Sequence, residues 1–67
     1  MILTNDEIEV LKKVGDAGQL HECLAGNLNG LKGLLNLRFV DSFLINQDPY
    51  LSLTDSGKEI YTRLQKS

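Results

Sequence analysis

Only a few side chains in this 67-residue sequence could do covalent or metal chemistry, and they are quickly counted. His21 is the single histidine and Cys23 the single cysteine, two positions apart. Two ligands cannot close a tetrahedral zinc site, and no other cysteine or histidine is present to complete one. A lone cysteine also rules out an internal disulfide. No serine–histidine–carboxylate arrangement, paired carboxylate site or phosphate-cradling glycine loop stands out, and one histidine leaves little from which to build a catalytic centre. The sequence therefore reads as a non-enzyme with no cofactor. Cys23 is expected as a small core residue, with His21 an exposed or partly packed neighbour.

Charge sets a further bound. Seven Lys/Arg against nine Asp/Glu leave a net charge of −2. Such a chain has no global attraction for nucleic acid, and any binding of that kind must rest on a local patch. The 42% hydrophobic content suffices for a folded core. No apolar run approaches the roughly 18 residues of a membrane span, and the first residues lack a signal-peptide pattern, so a cytoplasmic domain is expected. A chain this short forms one domain, 1–67, and buries only roughly 60% of the surface its unfolded form exposes. Without disulfide or metal, a homodimer is the expected reinforcement.

The elements that position these residues follow from hydrophobic period and punctuation. Thr4 with Glu7 three residues on is a capping box, and Ile8, Leu11 and Val14 recur at helical spacing until Gly15. Asp16 is the next candidate cap, with Ala17, Leu20, Cys23 and Leu24 predicting a short second helix. Ala25-Gly26-Asn27 reads as a turn. A third helix over about 27–37 carries the stripe Leu28, Leu31, Leu34 and Leu35. Gly30 and Gly33 lie inside it, each costing about 1 kcal/mol against alanine, which suggests close approach by a backbone or a partner. Residues 39–45 are β-branched and aromatic, Asn46-Gln47-Asp48-Pro49 supplies turn chemistry, and Tyr50-Leu51-Ser52-Leu53 alternates as a returning strand. Thr54-Asp55-Ser56 caps a last helix whose buried side is Ile60, Tyr61 and Leu64. An all-helical bundle is the structural alternative if 39–53 does not pair. Leu11, Leu20, Leu31, Leu34, Val40 and Ile60 are the expected core.

The order of elements, with Leu3-Thr4…Glu7…Val10-Leu11 at the start and Tyr50-Leu51-Ser52-Leu53-Thr54-Asp55-Ser56-Gly57 near the end, resembles the winged helix-turn-helix superfamily. The opening helix resembles that of the multiple-antibiotic-resistance-regulator (MarR-like) type and its relatives. The resemblance implies a mainly α, α+β fold: a three-helix core, a two-stranded hairpin wing and a C-terminal helix. It also implies a small DNA-binding transcriptional regulator whose third helix enters the major groove of double-stranded DNA. The outward side chains of that helix are then Asn27, Asn29, Lys32 and Asn36, with Arg38 just beyond. Asparagine can pair bidentately with adenine, while lysine and arginine reach phosphate or guanine. Three positions depart from the pattern. Arg38 stands where glycine usually precedes the wing, His21 where a small residue is usual, and the hairpin tip has no cation. With the net negative charge, these leave open a winged-helix protein–protein interaction or assembly module without DNA binding.

Overall fold

The computed structural model describes residues 3–66. Three α-helices and a three-stranded antiparallel sheet make a small, mainly helical α+β domain: α1 (Asn5–Ala17), β1 (Leu20–His21), a 3-10 turn (Glu22–Leu24), α2 (Leu28–Asn36), β2 (Val40–Ile45), β3 (Asp48–Leu53) and α3 (Asp55–Lys66). The strands lie in the order β1-β3-β2. Val10, Leu11, Val14, Ala25, Leu31, Leu34, Phe39, Val40 and Leu51 form the core. Leu20 and Ile60, expected inside it, pack on it half-buried, as do Leu3, Leu53 and Leu64. The pairing of 39–53 excludes the all-helical bundle.

The capping box forms as expected. The Thr4 hydroxyl accepts from the Glu7 amide at 3.2 Å, and the Thr4 amide donates to the Glu7 carboxylate at 2.8 Å. The helix does not stop at Gly15. It continues to Ala17 and ends at Gly18, whose φ of 78° suits glycine and whose amide donates back to the Val14 carbonyl. Gly15 serves a packing role instead, since a side chain there would run into the Tyr61 ring. Asp16, expected as a cap, lies within α1 and accepts a hydrogen bond from the Tyr61 hydroxyl.

The second helix expected over 16–24 is absent. Its place is taken by β1 and the 3-10 turn, and the two-stranded hairpin is correspondingly a three-stranded sheet. Leu20 pairs with Leu51 and His21 with Tyr50. The backbone groups of this segment thus find partners in β3 that a helix would have had to supply internally. The apolar spacing that suggested a helix does not mark a buried face, because Ala17, Cys23 and Leu24 are exposed.

The helical glycines of α2 have a tertiary cause. A Cβ on Gly30 would meet the Asp6 backbone, with the Asp6 carbonyl carbon at 2.6 Å, and one on Gly33 would meet the Glu7 carboxylate. The glycines let α2 cross directly over the first turn of α1.

Gly57 plays the same part for α3. Thr54 caps α3, accepting from the Gly57 amide at 3.1 Å, while its hydroxyl donates to the Arg38 carbonyl at 2.7 Å and its amide to the Phe39 carbonyl at 3.1 Å. A Cβ on Gly57 would fall on that same Phe39 carbonyl oxygen. The Leu-Thr-x-x-Gly passage is therefore a lock between the start of α3 and the chain leaving α2.

Candidate nucleic-acid interface

The outer face of α2 is open to solvent, and the residues on it follow from the helical period. Gly30, Leu31 and Leu34 turn inward. Asn29, Lys32 and Asn36 turn outward and are exposed, with Arg38 exposed just past the helix end. None of these four side chains has a hydrogen-bond or ion-pair partner among the described residues. Asn27 is different. Its Oδ1 accepts from the Gly30 amide at 3.3 Å and its Nδ2 donates to Glu9 at 3.4 Å. It is spent on capping α2 and tying it to α1, so four of the five residues singled out in the sequence remain available together.

The end of α2 holds Arg38 in an unusual state. Arg38 donates its amide to Leu35 O at 3.2 Å and Phe39 donates to Leu34 O at 3.0 Å. That pair of bonds is a Schellman termination, in which the Arg38 position takes left-handed backbone, here φ 61°. Glycine is the low-energy residue for such a site. The departure seen at position 38 therefore keeps the backbone conformation glycine would supply and adds a cation at an energetic cost.

The charges carried by α2 and its C-terminal end are positive, although α1 sets the Glu7 carboxylate against Gly33 and the Glu9 carboxylate against Asn27. None of the nine acidic residues falls between Glu22 and Asp41, the stretch that includes α2, Lys32 and Arg38. Elsewhere cations are partly neutralised: Lys13 lies 3.8 Å from Glu9, and Arg63 donates to Glu59 at 2.7 Å. The hairpin brings no cation to the α2 surface. Its two-residue turn, Asn46-Gln47, has φ of 50° and 71°, the mirror-image turn that matches strand twist. Leu44 and Ile45 are exposed beside it.

Leucines share the α2 surface with these polar groups. Leu28 is 64% exposed and Leu24 65%, with Leu35 and Leu37 partly exposed. Leu28 and Leu35 had been expected on the buried stripe with Leu31 and Leu34. They turn outward because α2 meets α1 through Gly30 and Gly33 instead.

His21 and Cys23 are engaged in local contacts. The His21 Nδ1 accepts from the Cys23 amide at 3.1 Å, its Nε2 lies 3.9 Å from Asp48, and its ring meets Tyr50 edge-on at 5.2 Å. Cys23, expected in the core, is exposed, because the 3-10 turn places it on the surface. No group of three potential metal ligands occurs among the described residues. A shallow cavity of about 500 Å³ lies between α1, β3 and α3, lined in part by Gln19, Ser52, Lys58 and Tyr61. No helix among the described residues is long and apolar enough to cross a membrane. Comparison with protein-family models, curated proteins and solved structures finds no match to the chain.

Proposed function

We propose that this domain is a winged-helix DNA-binding regulator that presents the outer face of α2 to the major groove. The strand order β1-β3-β2, with the hairpin following α2 directly, supports the winged-helix reading. The observation that carries the DNA reading is the outward cluster of Asn29, Lys32, Asn36 and Arg38 on an acid-free stretch. Arg38 within it occupies a left-handed position that glycine would fill at lower energy. Asn29 and Asn36 are the base-reading candidates, and Lys32 and Arg38 the phosphate or guanine contacts.

Magnitude limits how one copy can work. Two phosphate contacts give a salt slope of about −1.8, against six or more contacts in many working binders. A homodimer supplies four and a slope near −3.6, a loss of about 150-fold between 50 and 200 mM salt. Two copies on adjacent half-sites are thus part of the proposal. Fluorescence polarisation with duplex DNA across a salt series tests it. Binding that weakens steeply with salt and disappears on charge reversal at Lys32 and Arg38 is the expected result. No duplex binding at low salt refutes it.

A second reading rests on Leu24, Leu28, Leu35 and Leu37. Exposed leucines flanking polar side chains suit a protein interface, so this side of the domain would serve an interaction or assembly module. Under that reading the wild type does not bind DNA, and polar substitution of Leu28 abolishes partner capture while charge reversal at Lys32 does not.

A further inference from the structure

The sheet has two outer edges, and only one of them is protected. β1 covers part of β3, and beyond it β3 carries Pro49, which has no amide to offer. β2 is the opposite edge, six residues long, with no proline and with Asp41 as its only charge. Folded proteins usually blunt such an edge with lysine, proline, a bulge or a covering element. β2 has none of these along its exposed residues.

Register states which backbone groups are free. A two-residue hairpin turn closes on a hydrogen-bonded pair, here Ile45 with Asp48. Phe43 and Asp41 then also exchange hydrogen bonds with β3, and the intervening Ser42 and Leu44 direct N–H and C=O away from the sheet. Both are exposed, Leu44 at 72%, and neither has another partner among the described residues. On one sheet face an aromatic row crosses all three strands: His21 edge-on to Tyr50, and Tyr50 stacked with Phe43 at 6.4 Å. The row runs up to the β2 edge and ends there.

The structure assigns this edge to a second copy of the chain, joined by antiparallel β2–β2 pairing about a two-fold axis through Phe43. The strand is complementary to itself in that register. Ser42 faces Leu44 of the second copy and Leu44 its Ser42, so the outward amides and carbonyls satisfy one another. Phe43 meets Phe43 of the second copy in a non-hydrogen-bonded pair, where side chains approach closest, and the aromatic row continues through both sheets. The two Leu44 side chains become diagonal neighbours and cover each other. Asp41 faces Ile45 of the second copy, so the two carboxylates do not meet. Shifting the axis to Ser42 would set Asp41 against Phe43 and lose the aromatic continuity. A dimer through α1 or through the Tyr61 and Leu64 side of α3 would compete with contacts inside the chain: Tyr61 packs on Gly15 and bonds Asp16, and Leu64 packs on the core.

The proposal names the interface for the two copies that the proposed function requires. It is tested without DNA, so its failure is distinguishable from failure of DNA binding. Sedimentation of the full chain from micromolar to millimolar concentration reads the association. Ser42→Pro removes an outward amide without touching the β3 ladder, and Leu44→Lys adds charge to an exposed position. Each is expected to raise the dimer dissociation constant by roughly tenfold or more with unchanged far-UV circular dichroism. In a Cys23→Ser background, Phe43→Cys is expected to form a disulfide-linked dimer on oxidation, and Asp41→Cys is not. A monomer across the whole range, a dimer that both edge variants leave intact, or crosslinking at 41 in preference to 43 overturns it.

Discussion

Replacing Gly57 with alanine separates local propensity from tertiary contact more sharply than any other single change. In an unobstructed helix the substitution gains about 1 kcal/mol. Here the added methyl lands on the Phe39 carbonyl oxygen, with the Phe39 carbonyl carbon at 2.9 Å and Cα at 3.3 Å. The obstacle is backbone on both sides, so no rotamer change relieves it. α3 and the chain after α2 must part by about 1 Å or more to regain ordinary contact. That movement stretches the bonds from Thr54 to the Phe39 and Arg38 carbonyls, 3.1 and 2.7 Å long. Two strained hydrogen bonds at about 1 kcal/mol each and an overpacking cost of about 1–3 kcal/mol oppose the propensity gain. The net expectation is a loss of about 2–4 kcal/mol, which in a domain of this size lowers Tm by roughly 15–30 °C. Thermal and urea unfolding followed by circular dichroism, at one fixed protein concentration, measures it. Ser56→Ala, on the exposed neighbouring position, is the control and should change stability by less than about 0.5 kcal/mol. A Gly57→Ala protein as stable as wild type would refute the lock.

Arg38→Gly should stabilise the fold by about 1 kcal/mol, because glycine relieves the left-handed backbone, and should weaken duplex binding at the same time; urea midpoints and polarisation titrations read the two effects. Leu34→Ala, which empties a fully buried position between α2 and the sheet, should cost about 2–5 kcal/mol, and a near-wild-type melting curve would contradict the core assignment. The Tyr61 hydroxyl titrates above its ordinary value of 10.0, chiefly because it donates a hydrogen bond to Asp16, with burial and the Asp16 charge adding to the effect. The folded state then holds its proton more tightly than the unfolded chain does. The stabilising contribution is complete below pH 10.0 and is lost as pH rises through the raised value. Ultraviolet titration of the tyrosinate band should show a late step above pH 10.0, and Tyr61→Phe should remove it.

What the sequence determined by itself was local. Thr4 with Glu7 ahead of α1 and Thr54 ahead of α3 are caps whose geometry involves only three or four successive residues, and each formed where the residue types placed it. The hairpin was legible for the same reason, since alternation and turn residues act over neighbouring positions, although the turn is Asn46-Gln47 alone and Asp48 and Pro49, expected in it, belong to β3. The outward placement of Asn29, Lys32, Asn36 and Arg38 was also legible, being a matter of helical period.

Contacts between distant segments decided the rest. The stretch 16–24 has an apolar spacing that suits a helix, yet β3 offers Leu20 and His21 a ladder, and Tyr61 takes Asp16 away from capping. Leu28 and Leu35 carry the same side chain as Leu31 and Leu34. Only the crossing of α1 over Gly30 determines which pair is covered, and that crossing also brings Glu9 to the Asn27 amide. Nothing in the sequence around Arg38 announces its left-handed backbone, which is set by the Schellman turn into β2 and the hold of Thr54 on its carbonyl. Propensity and period act over one or two turns of chain. Which face is covered, which edge is left open and which glycine is indispensable depend on segments brought together from across the sequence, and those are settled only when the whole chain packs.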